Sequence, residues 1–126
     1  MINKKIWNIN LPVLKGAFVT NISPKQYDTA SNLFKISLYK DMEKYDLTGL
    51  SVQAVFKKAD GTISYLPCTI TNAASGELEI DITSQVLAIA AEVECEIRVT
   101  GTEGELLIAP KFYFKVYESL NIDGAV

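Results

Sequence analysis

Apolar and polar residues alternate with a period of two along most of the chain. From Asn32 to Lys40, Phe34, Ile36 and Leu38 share one side, with Lys35, Ser37 and Tyr39 on the other. Leu50 to Lys58 sets Val52, Ala54 and Phe56 inward. Leu78, Ile80 and Ile82 alternate with Glu77, Glu79 and Asp81. Val93, Cys95, Ile97 and Val99 alternate with Glu92, Glu94, Glu96 and Arg98. Phe112, Phe114 and Val116 alternate with Tyr113, Lys115 and Tyr117. Successive strand side chains point to opposite faces, so each run predicts a strand with one dry and one wet face.

The segments between these runs carry turn chemistry. Asp60-Gly61 separates 50–58 from 62–70, and Asp-Gly predicts a tight hairpin because glycine accepts positive φ. Further turns are expected at 72–76 and 101–104. Pro110 cannot donate to a ladder, so the last strand, 105–117, should lie at an edge or carry a bulge there. Residues 6–14 read as a first strand, held at an edge by Pro12, and 23–31 as a loop. The polar stretch 41–49 predicts a crossover. Thr83 or Ser84 could cap one or two helical turns holding Val86, Leu87 and Ala90, which predicts a second crossover.

About seven short strands with two crossovers predict an all-β fold: an immunoglobulin-like antiparallel β-sandwich with one short crossover helix. One sheet is expected to hold 6–14, 32–40 and 77–82; the other 50–58, 62–70, 92–100 and 105–117. A closed barrel is the competing architecture, since it gives similar sequence signals.

Composition narrows function mainly by exclusion. The 126 residues are 48% hydrophobic and 21% charged, which suits one packed domain spanning 1–126. A net charge of −3 speaks against nucleic acid, which needs a concentrated basic face. No stretch reaches the apolar length that crosses a bilayer, and the N-terminus has no apolar core of a secretory signal, so no membrane partner is expected. Histidine is absent, removing the commonest general base and a favoured metal ligand. No nucleophile elbow or phosphate-cradling loop occurs, so neither catalytic residues, nor a cofactor site, nor a metal site is expected, and the protein is read as no enzyme. Cys68 and Cys95 read as reduced core thiols; a disulfide would require neighbouring strands. The rows Glu92, Glu94, Glu96 and Glu77, Glu79, Asp81 read as solvated strand faces, because same-strand carboxylates two residues apart stand about 6.5–7 Å from each other.

The aromatic residues are the candidate binding chemistry. Trp7 lies in the first strand, while Tyr39, Tyr113 and Tyr117 fall on wet faces. Exposed Tyr and Trp suit protein contacts and sugar stacking, and these four are the candidate interface residues. One function these residues suit is a carbohydrate-binding β-sandwich module that contacts a cell surface directly.

A spaced series then stands out. Leu38-Tyr39-Lys40-Asp41 is followed by Asp46-Leu47-Thr48-Gly49, Val52, Phe56-Lys57-Lys58 and Asp60-Gly61-Thr62. Ile70, Gly76, Ile82-Thr83, Leu87, Glu94, Glu96, Gly104, Phe112, Phe114 and Val116 complete it. Over residues 15–120 this order resembles the N-terminal domain of the phage baseplate upper protein family; Ala90-Ala91 departs from it, where such domains usually have a glycine. The resemblance implies a structural virion protein of the tail baseplate, made in the host bacterial cytoplasm. It implies docking on the distal tail protein, with receptor-binding proteins carried outward by a homotrimer of the full-length chain. The present chain is then expected to be the docking domain of a longer protein, with 119–126 beginning a linker.

Overall fold

The structure, a computed structural model, describes residues 5–13, 18–26 and 32–118. Strands β1 (Lys5–Pro12), β2 (Phe18–Val19), β3 (Asn32–Lys40), β4 (Glu43–Lys44), β5 (Ser51–Lys57), β6 (Ile63–Pro67), β7 (Thr69–Asn72), β8 (Glu77–Ile82), β9 (Glu92–Thr100), β10 (Leu106–Ile108) and β11 (Lys111–Lys115) build two sheets. The first runs β1-β3-β8-β7, with β4 paired to β3. The second runs β2-β11-β9-β5-β6, with β10 paired to β9. The seven longer strands, β1, β3, β5, β6, β8, β9 and β11, are the expected ones in an all-β sandwich. The pairings are antiparallel except at one side of each sheet, where β1 runs parallel to β3 and β2 parallel to β11.

The dry faces of the periodic runs meet between the sheets. Phe34 of the first sheet packs against Phe112 and Phe114 of the second, and Phe56 joins Phe114. All four rings are buried together with Leu38, Leu78, Ile80, Ile97 and Leu11. Burying side chains of this size contributes about 1.5–3 kcal/mol each, which drives the two faces together.

The Asp60-Gly61 hairpin forms as expected. Lys58 N donates to Thr62 O at 2.9 Å, Gly61 sits at φ 88°, and Asp60 Oδ1 accepts from Thr62 N and Oγ1. The last run divides at Pro110 into β10 and β11, but the edge or bulge expected there is not found. Strand β11 runs between β2 and β9, and Ile108 opposite Val99 and Lys111 opposite Glu96 keep one register across the proline. The shift against β9 falls earlier, between Leu106 and Ile108.

Two further expectations are corrected. The run 62–70 does not stay in one sheet. It ends at Pro67, whose missing N–H stops the ladder, and after Cys68 the chain enters the first sheet as β7. The 83–90 segment is not a helix. It is a chain of turns whose bonds span three residues: Val86 to Thr83, Leu87 to Ser84, Ala88 to Gln85. A segment this short has too few bonds to offset helix nucleation, while turns bury both Val86 and Leu87. The polar crossover 41–49 also gains structure, because Glu43–Lys44 folds back on β3 through a turn with Asp41 at φ 53°. The linker expected at 119–126 lies outside the described residues.

Candidate interaction surface

The four aromatic residues singled out in the sequence do not converge. Trp7 shares the core-facing side of β1 with Ile9 and Leu11; it is half-buried, and its Nε1 donates to Oδ1 of the buried Asn32 at 3.0 Å. Tyr39 is half-buried on the solvent side of the first sheet, between Pro12 and Lys44 in the ladder. Tyr113 and Tyr117 lie on the solvent side of the second sheet, at the opposite flank of the sandwich.

That second outer face is ordered by strand register. Tyr113 stands beside Glu94, which stands beside Lys57 and then Ile63. The adjacent row reads Lys111, Glu96, Val55, Tyr65. Acidic and basic side chains therefore meet across strands. Lys111 Nζ lies 3.1 Å from Glu94 Oε2 and 3.8 Å from Glu96 Oε2, and Arg98 Nε donates to Glu96 Oε1 at 2.6 Å. The bond to Glu94 raises the Lys111 ammonium's affinity for its proton, and the bond to Glu96 does the same for Arg98. Exposed pairs of this kind add little stability, but they neutralise the face.

Apolar surface remains around these pairs. Tyr65 is 57% exposed at the edge strand, beside Ile63. Tyr117, 49% exposed, is fixed beyond β11: its N–H donates to Pro24 O and its carbonyl accepts from Gln26 N. The Lys115 ammonium lies 5.1 Å from the centre of its ring. A hollow of about 210 Å³ lies among Val55, Lys57, Ile63 and the paired charges. Sequence alternation found Tyr113 and Tyr117 but missed Tyr65. Residues 63–67 contrast weakly in polarity, and only the register with Val55 shows which way Tyr65 points.

Part of the other acidic row is paired as well. Glu79 of the first sheet lies 3.9 Å from Lys35, and among the described residues no three His, Cys, Asp or Glu side chains gather as a metal site would need. Asp46 and Asp60 are held below the usual carboxylate range by Thr48 and Thr62 hydroxyl bonds, which close turns. Both cysteines are free; burial pushes Cys68 up to about 12 and Cys95 well above an ordinary thiol, so neither is a nucleophile at neutral pH. Among the described residues no helix is long and apolar enough to cross a membrane.

Two sheets closed on an apolar core, with tyrosines and ion pairs on their outer faces, define an all-β sandwich domain. The chain belongs to the BppU N-terminal domain family, the N-terminal domain of phage baseplate upper proteins, whose profile matches residues 4–126. It is accordingly a structural component of the phage tail. Among solved structures, the N-terminal domain of phage TP901-1 ORF48 has a similar fold, with a TM-score of 0.75 and 13% identity over 90% of this chain and 98% of that one. No curated protein matches the chain.

Proposed function

We propose that this domain docks on neighbouring baseplate proteins, the distal tail protein among them, through the outer face of the β2-β11-β9-β5-β6 sheet. In this reading the complete protein assembles as a homotrimer and carries receptor-binding proteins toward the host surface in the virion. The carrying observation is that Tyr113, Tyr117 and Tyr65 share one outer face, whose central charges Lys111, Glu94, Glu96 and Arg98 are paired with one another. Pairing lowers the cost of removing those four charges from water, and tyrosines supply large contact area with little entropy lost.

The test is capture of the distal tail protein of the cognate phage by the immobilised domain. Tyr113→Ala with Tyr117→Ala should abolish capture, whereas Tyr39→Ala, on the other flank, should leave it intact. Absence of capture by the unaltered domain, or equal loss from Tyr39→Ala, would reject this face. Direct sugar binding is the competing function; it predicts glycan-array signals that vanish in the same double variant.

A further inference from the structure

The sandwich protects its four sheet margins unequally. Among the described residues β2 has two residues, β7 has four with a register shift beside β8, and β6 has five and ends at Pro67. Strand β1 differs. It has eight residues, ends its sheet, and pairs with β3 in unbroken register from Lys5 to Pro12. Lys5 and Pro12 close its two ends, but the six residues between them, Ile6 to Leu11, carry no charge, no proline and no bulge, the devices that usually stop a bare edge from recruiting another strand. Apolar side chains flank that edge on both sides. Ile6 is 50% exposed on the solvent face and Trp7 half-buried on the core face.

We propose that the edge of β1 turned away from β3, which no other described strand covers, pairs antiparallel with β1 of a second copy of this chain, joining their first sheets across a two-fold axis. The strand is self-complementary in that arrangement. Centred on Ile9, the pairing sets Ile9 beside Ile9 and Trp7 beside Leu11 on the core side, with Asn8 beside Asn10 and Ile6 beside Pro12 on the solvent side. An axis perpendicular to the sheet keeps both core faces on one side, so apolar meets apolar and amide meets amide. No like charges oppose each other anywhere between Ile6 and Pro12, which is why a second copy fits this edge without electrostatic penalty. The inference does not depend on the tyrosine face.

The experiment is sedimentation of the chain over a concentration series, with fluorescence of its sole tryptophan read alongside. The expected result is a monomer–dimer equilibrium with Trp7 emission moving blue as dimer forms. Asn8→Lys with Asn10→Lys changes two exposed side chains and leaves the fold intact, as circular dichroism should show. In the dimer it sets like charges opposite each other twice, so the dissociation constant should rise about tenfold or more. Mixing it with the Asn8→Glu, Asn10→Glu variant should restore a mixed dimer. The proposal falls if the unaltered chain stays monomeric up to about 1 mM. It also falls if the lysine variant dimerises undiminished, or if the mixture stays monomeric. None of these outcomes alters the reading of Tyr113 and Tyr117 in capture assays.

Discussion

The edge of one ring meets the face of another where Phe34 and Phe114 come together, centroids 5.1 Å apart and planes at 84°. One ring belongs to β3 and the other to β11, so this contact joins the two sheets. Phe34→Ala should cost about 3–5 kcal/mol in urea unfolding, while Phe114→Leu, which keeps more of the volume, should cost less. A loss under about 1 kcal/mol for Phe34→Ala would mean that the sheets are held together elsewhere.

Trp7 and Asn32 form the polar counterpart of that contact. The indole donates to an amide with no solvent exposure. Trp7→Phe keeps most of the apolar surface but removes the donor, so stability should fall by about 1–3 kcal/mol. Thermal unfolding of the variant checks this; an unchanged midpoint would show that another group replaces the indole.

Among the described residues, Gly76 is the one glycine whose conformation and surroundings both forbid a side chain. Its φ is 67°, and an added Cβ would meet Tyr45 O and come within 2.9 Å of Leu38 O. The close approach exists because Leu38 N donates to Gly76 O while Tyr45 N donates to Leu38 O, tying the β7–β8 turn to the β3–β4 hairpin. Gly76→Ala should therefore destabilise by more than about 2 kcal/mol. Gly61→Ala, with open space around it, should cost less.

The buried thiols give a pH dependence with a definite sign. Burial raises the folded-state proton affinity of Cys68 to about 12, against 9.0 for an ordinary thiol. Its contribution is fully present below pH 9 and is lost as pH climbs toward 12, because the unfolded chain sheds the proton first. The unaltered protein should lose stability more steeply over that window than Cys68→Ala, followed by urea unfolding at stepped pH. Parallel curves would show that the Cys68 thiol ionises freely in the folded state.

Much of the architecture was legible because alternation with period two states directly which side of a strand is dry. The longer strands, the Asp60-Gly61 hairpin and the interruption at Pro110 all follow from local chemistry. The helix expected at 83–90 fails for a reason of context: Thr83 and Ser84 offer cap chemistry, but Val86 and Leu87 both have to reach the core in a very short span. The candidate surface was half legible. Alternation placed Tyr113 and Tyr117 on a wet face. The same alternation puts Trp7 in phase with Ile9 and Leu11, on the core side of β1 that the structure shows.

Sequence by itself determined the alternation, and with it the strands, their dry faces and the all-β sandwich. Only the tertiary structure decided which strands are neighbours. It carried the chain across at Cys68, aligned β1 parallel to β3, and set Tyr39 on one flank with Tyr113 and Tyr117 on the other. The physical reason is range: a side chain's direction depends on its own backbone, whereas a neighbour across a ladder is chosen by how the whole set of apolar faces can close against one another.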